Sequence, residues 1–441
     1  MLSRQYIRRT NRWFVPYTML LSFGTYFCMY AFRKPFAAAQ YSEAAPFLGA
    51  IDLKIALIIA QVLGYALSKF IGIKVISELK EKHRLLLLIG FILFSELALV
   101  SFGFSRDSVW SVIFLFLNGL PLGMIWGIVF SYLEGRRSTE ILSAGLCASF
   151  ILSSGVVKSV GSWLMNSWHI SEYWMPATTG LLFLPLLLLF GILLNRLPAP
   201  TDADEQLRTK RAPMTTGERK RFFLELAPGI TALIICYFFV TAYRDFRDNF
   251  AVELWTSLGY GGIPKMFTLS ELPIAVIILA MLGGTMLIRN NRKAFLFYHI
   301  LILAGCFLVA GSTWLFETHA LRGEIWMVLV GTGLYLAYVP FNAILFDRLI
   351  AAFRHVATAG FLIYMADAFG YLGSITILLY KNFQSARTSW MEFFIPLSYT
   401  VALIGILSTG IAYFYFSKKL KTHTNENKMP DSTPVLSALD H

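Results

Sequence analysis

Apolar runs of twenty or more residues alternate along this chain with short polar breaks, and the breaks are rich in Lys and Arg. A run of that length is what a helix needs to cross about 30 Å of hydrocarbon. It must be helical, because lipid offers no partner to free backbone groups. The pattern predicts twelve spans, at residues 13–41, 52–71, 84–104, 108–133, 140–165, 174–194, 222–254, 267–288, 294–315, 324–346, 355–380 and 392–416. The one long polar interruption, residues 196–221, has linker composition and divides the spans six and six. The expected organisation is a six-helix bundle over 1–195, a cytoplasmic linker over 196–221, a second bundle over 222–417 and a disordered tail over 418–441.

Composition strengthens this picture. Of 441 residues 56% are hydrophobic and only 15% charged, with mean hydropathy +0.61. A soluble domain carries about 25% charged residues, so a soluble fold is excluded. Arg4, Arg8, Arg9 and Arg12 run straight into an apolar stretch too long for a secretory signal, which reads as a basic anchor before the first span. Cys28, Cys147, Cys236 and Cys306 lie in apolar segments without metal or redox spacing and read as small core residues. With the N-terminus in the cytoplasm, 27 of the 38 basic residues fall on that side, 10 on the other, and Lys158 inside a span. That asymmetry obeys the positive-inside rule and places both termini and the linker in the cytoplasm. The net charge of +12 then marks topology beside anionic lipid and calls for no nucleic acid.

The halves repeat. "YFCMYAFR", ending at Arg33 in span one, matches "YFFVTAYR", ending at Arg244 in span seven, in the same register. "IALIIAQVLG" in span two matches "IAVIILAMLG" in span eight. Two parallel six-helix repeats predict an all-α membrane protein of the major facilitator architecture, with two pseudo-symmetric bundles and a substrate site between them near the midplane.

Basic residues inside that site suggest an anion. Two arginines at equivalent places in two halves would face each other across the cavity, and a guanidinium fork suits phosphate or carboxylate oxygens. Lys69, Lys158 and Lys34 are further candidates; an isolated Lys amid Ser154, Gly161 and Ser162 is functional by default. Lys69 also reads as the mere end of its helix, and Arg33 as an interfacial side chain on a short helix. Asp367 is the clearest acid in mid-span, a coupling group or a partner for a buried base; Glu271 and Asp245 are the other coupling or charge-pair candidates. Gly119, Gly123 and Gly127, at four-residue spacing in span four, read as a packing stripe at a rocking interface. No P-loop, dinucleotide fingerprint or nucleophile elbow is present, so no cofactor and no enzymatic activity are expected.

"YAFRKPFA", "SKFI", "NGLPLGMIWG", "FVTAYR" and "FGYLGS" together resemble the organophosphate:inorganic phosphate antiporters. The chain is also similar to a group of bacterial membrane proteins of unassigned function. The first resemblance implies that Arg33 and Arg244 bind a phosphate group, that Lys69 lies on the same pathway and that Lys34 matches a basic residue after the first Arg. Departures are Leu122 where that family has Gln, Gly127-Ile128 where it has Pro-Pro, and Glu78 in place of an Asp. The expected function is a monomeric secondary transporter in a bacterial inner membrane. It would move a small anionic, phosphorylated metabolite by exchange for phosphate or by proton symport. The alternative is a carrier-like sensor that binds such an anion without moving it.

Overall fold

The structure is a computed structural model that describes residues 2–77, 79–105, 108–133, 136, 139–198, 216–285, 287–288, 290–353, 359–383 and 388–426. Most of the expected linker (199–215), the end of the expected tail (427–441) and Glu78 lie outside the described residues.

Fourteen α-helices are described: α1 (Leu2–Met29), α2 (Leu53–Ser77), α3 (Arg84–Phe104), α4 (Ser108–Ser131), α5 (Thr139–Trp168), α6 (Met175–Asn195), α7 (Thr216–Asn249), α8 (Ala251–Ser257), α9 (Lys265–Thr285), α10 (Asn291–Glu317), α11 (Gly323–Ala343), α12 (Leu345–Phe353), α13 (Ala359–Phe383) and α14 (Trp390–Glu426). Ten of them are long and apolar enough to cross a membrane on length and composition alone, counted among the described residues. Helices α1 and α13 complete the twelve spans through their places in the packing, and the short α8 and α12 follow α7 and α11.

The packing repeats as the sequence does. In the first half α1 packs on α5 and α6, α3 on α4 and α6, and α2 on α4. In the second half α7 packs on α13 and α14, α10 on α11 and α14, and α9 on α11, which is the same set shifted by one bundle. The bundles meet chiefly through α2 against α13 and α5 against α9. Outer helices turn apolar side chains outward at helical spacing, as Leu403, Leu407, Ile411 and Phe414 of α14 do. In water such a stripe would be costly; against acyl chains it is matched solvent.

Two sequence expectations change. Span one does not continue as helix to residue 41. It ends at Met29 and gives way to two 3-10 turns, Tyr30–Phe32 and Pro35–Ala38. Pro35, at the start of the second turn, has no N–H to give an α-helical ladder. Its repeat partner has Phe246 near that place, and α7 runs unbroken to Asn249. The glycine stripe of α4 faces α2 of its own bundle, not the other bundle. A Cβ on Gly119 would stand 2.3 Å from the Gln61 carbonyl oxygen, one on Gly123 2.6 Å from that of Tyr65, and one on Gly127 3.1 Å from Ile76. These glycines let two backbones touch inside one rigid unit.

Candidate functional site

The broken end of α1 is held by a buried polar net. The side-chain amide of Asn118 (α4) donates to the carbonyls of Phe32 and Ser95, at 2.9 and 3.2 Å. The Gln61 amide (α2) donates to the Arg33 carbonyl at 2.9 Å and to Asn118 Oδ1 at 2.8 Å. These bonds satisfy backbone groups that the helix break leaves open, where lipid and core supply nothing else. In this closed form they also set the point from which Arg33 projects.

Arg33 is 8% exposed, and its guanidinium carbon lies 3.8 Å from the ring centroid of Tyr65 and 5.8 Å from that of Tyr30. Its Nε meets no acceptor, and among the described residues no carboxylate lies within ion-pair distance of it. Stacking on a tyrosine face is worth about 2 kcal/mol when desolvated, which offsets part of the burial without neutralising the charge. Arg244, in α7, stacks on Tyr338 at 4.2 Å but also pairs with Asp245, 2.5 Å from Nη2 and 3.0 Å from Nε. Asp245 in turn accepts from Ser374 Oγ at 2.6 Å. Tyr30 and Tyr371 lie within electrostatic reach of both guanidiniums, so the two arginines approach one aromatic-lined region between the bundles.

The lysines have partners, and in every case the partner belongs to the other bundle. Lys34 Nζ is 2.5 Å from Asp248 Oδ2 and donates to Asn249 Oδ1 at 2.9 Å. Lys158 Nζ is 2.6 Å from Asp248 Oδ1 and 2.7 Å from its carbonyl oxygen. Ser154 donates to the same carboxylate. Lys158 is therefore not the isolated charge its sequence surroundings suggest. Lys69 pairs with Asp367, whose other oxygen accepts from Tyr237 at 2.7 Å. Thus Lys69 is more than the end of its helix: it ties α2 to α13. Glu271 pairs with Arg247 at 2.7 Å within the second bundle. A small cavity beneath this cluster is lined by Lys158, Arg247, Trp255, Phe267, Glu271 and Met327.

Lys54, unremarked in the sequence, is 2.5 Å from Glu253. The Asp52 amide donates to Asn382 Oδ1 at 3.0 Å, and Asn382 donates back to the Ala50 carbonyl at 3.1 Å. Ser159 donates to the Pro264 carbonyl at 2.7 Å. With the Asp248 cluster, these links gather at the end of the bundles opposite the chain's termini, which is closed. Lys69 and Asp367 meet deeper, sixteen residues along α2 from Leu53, or about 24 Å at 1.5 Å per residue. Glu96 of α3 was also unremarked: it is 5% exposed, and neither carboxyl oxygen has a hydrogen-bond partner. No group of three or more possible metal ligands occurs among the described residues.

A model for a family of unknown function (DUF5690) matches residues 35–419, and the chain belongs to that family. No curated protein matches the chain. Among solved structures it is similar to the crystal structure of a D-xylose-proton symporter, at 14% identity and a TM-score of 0.60, over 90% of this chain and 96% of that one. At that identity the likeness concerns the fold, which is the major facilitator fold of a multi-pass membrane protein.

Proposed function

We propose that this DUF5690 member is a secondary transporter that carries a small phosphorylated metabolite by alternating access. The observation that carries the reading is the charge balance of the buried cleft. Among the described residues, its ion-paired groups together with Arg33 comprise the cations Arg33, Lys34, Lys54, Lys69, Lys158, Arg244 and Arg247 and the carboxylates Asp245, Asp248, Glu253, Glu271 and Asp367. Four pairs are one-to-one, Asp248 serves two lysines, and Arg33 has no acid. Two positive charges are left over. Buried charge without a partner is expensive, and a phosphate monoester, a dianion at neutral pH, would close the balance.

Geometry supports the same class. Arg33 presents an unengaged fork into a region rimmed by Tyr26, Tyr30, Tyr65 and Tyr371. The fork suits phosphate oxygens, and the phenol rings suit an organic body with hydroxyls and apolar faces. Arg244 serves the same anion once Asp245 yields it, and Lys34 and Lys158 add positive potential. With the termini in the cytoplasm of a bacterial inner membrane, the closed end faces outward. The bundles then rock about the site, opening it to one side at a time. Exchange for phosphate and proton symport are both compatible with this cleft.

The test is counterflow in proteoliposomes with inorganic phosphate, sugar phosphates and, for comparison, dicarboxylates. The expected result is phosphate-ester flux that is lost or sharply weakened in Arg33→Lys. Unaltered flux in both Arg33→Lys and Arg244→Lys would overturn the site. Stabilisation by a phosphate ester without any flux would instead make the chain a carrier-like sensor.

A further inference from the structure

We infer that Glu96 is the carrier of a co-transported proton, which makes the transport reaction a proton symport. The inference rests on the transporter reading but not on the identity of the substrate.

Glu96 lies in the interior of the first bundle, on α3. It faces Gly180 of α6 closely enough that a Cβ on that glycine would stand 2.1 Å from Oε2, with the Phe32 ring 3.1 Å from the same point. Helices α4 and α6, which pack on α3, contain no titratable residue along their whole described length. The 3-10 turn that also packs there brings Tyr30, followed by Arg33. Arg84 and the turn Glu81–His83 stand twelve or more residues away, at the other end of α3. No charged group among the described residues acts electrostatically on Glu96, and neither oxygen accepts a hydrogen bond.

An ionised carboxylate is costly in such a place. Its burial without a partner costs far more than the burial of the neutral acid, so the site favours the protonated group. The ring that covers it sits on the segment that carries the proposed anion ligand. Phe32 belongs to the broken end of α1, and Arg33, the next residue, is the anion ligand of the proposed site. Displacing that segment would admit water to Glu96 and let the proton leave. Restoring it would demand a proton again. Protonation of Glu96 is thereby linked to the position of Arg33, and proton movement to the loading of the anion. A purely structural role does not account for a carboxyl here: Gln or Leu would pack at this site at no greater cost.

Dicyclohexylcarbodiimide reacts with protonated carboxyls in apolar surroundings, and mass spectrometry of the labelled full-length protein locates the adduct. At pH 7 in proteoliposomes the adduct is expected at Glu96 and is absent in Glu96→Gln. In the transport arm, Glu96→Gln is expected to keep counterflow within about twofold while losing tenfold or more of the accumulation driven by an imposed pH gradient. Absence of an adduct on folded wild-type protein at pH 7 would overturn the inference, as would a Gln variant that accumulates substrate like the wild type. If no phosphate compound undergoes counterflow in the wild type, the substrate reading fails on its own, and the labelling arm still decides the protonation of Glu96.

Discussion

The carboxylate of Asp248 is the most heavily used link between the bundles, and removing it should open the closed end. It neutralises Lys34 at 2.5 Å and Lys158 at 2.6 Å, and it accepts from Ser154. Both lysines are buried, at 6% and 3% exposure. Asp248→Asn keeps the size of the side chain and strands two ammonium groups in a dry interface. Breaking a buried pair by deleting one partner costs about 3–5 kcal/mol. Lys34 keeps Asn249 and Lys158 keeps a backbone carbonyl, which favours the lower end of that range. A penalty of about 3 kcal/mol shifts the ratio of closed to open forms roughly 150-fold. A population resting at 99:1 in favour of closure would move to near parity or beyond.

The shift can be read by pulsed spin-label distances between Ser42→Cys and Thr256→Cys, two exposed positions on opposite bundles at the closed end. The four native cysteines are buried and stay unlabelled. Wild type should show one short distance, and the Asn variant a second, longer one of comparable weight. Adding Lys34→Met removes one stranded charge and should return part of the short population. Identical distance distributions in wild type and Asp248→Asn, both monodisperse, would refute the assignment of this cluster as the closing lock.

Three further outcomes follow from the same geometry. Arg33→Lys keeps a charge but loses the fork; one charge-assisted hydrogen bond is worth about 1.5–3 kcal/mol, so apparent affinity for the phosphate ester should fall roughly 10- to 150-fold in uptake titrations, and less in Arg244→Lys because Asp245 already engages that side chain. Gly119→Ala forces α2 and α4 apart against a backbone oxygen and should lower the thermal midpoint in detergent, by about 1–3 kcal/mol of overpacking, whereas Gly90→Ala, with nothing within 4 Å, should leave it unchanged or raise it slightly. Lys69→Met and Asp367→Asn should each destabilise by about 3–5 kcal/mol, and the double variant by much less than their sum, as a double-mutant cycle on thermal unfolding would record.

Much of the architecture was legible in the sequence because a bilayer imposes its length and hydropathy on every span. The bundles were legible because matched stretches recur in spans one and seven and in spans two and eight, more than two hundred residues apart. Span ends were less so: α3 begins and ends where its apolar run does, while α1 stops twelve residues early at a break that Pro35 signals without locating. In the candidate site, Arg33, Arg244, Lys69, Lys158 and Asp367 stood out because charge is rare inside spans. The pairings of Lys69 and Lys158 did not, since they join residues 90 or more positions apart, and nothing local marks Lys54 for Glu253; Arg244 alone pairs with a sequence neighbour, Asp245. Glu96 is inconspicuous for the opposite reason: among the described residues it has no partner, and one acid among leucines in α3 looks like an accident until the structure shows how deeply it is buried.

The pairings also change what the repeated arginines mean. Among the described residues, every ion pair between bundles runs from a cation of the first bundle to a carboxylate of the second: Lys34 and Lys158 to Asp248, Lys54 to Glu253, Lys69 to Asp367. With Arg33, the first bundle therefore offers five cations to the cleft. The second offers two arginines, Arg244 and Arg247, against five carboxylates, and keeps both arginines occupied internally. Sequence symmetry suggests two equal ligands, one from each half; the charge distribution makes them unequal. An anion entering the cleft is drawn to the first bundle and repelled by the second, except where Arg244 lets go of Asp245. Binding at Arg33 would come first, and recruitment of Arg244 would be the step that pulls the bundles together over the substrate. On this reasoning Arg33→Ala should abolish binding itself, whereas Arg244→Ala should leave equilibrium binding of a phosphate ester within about tenfold and abolish flux. Isothermal titration beside counterflow separates the two, and equal losses of binding in both variants would restore the symmetric picture.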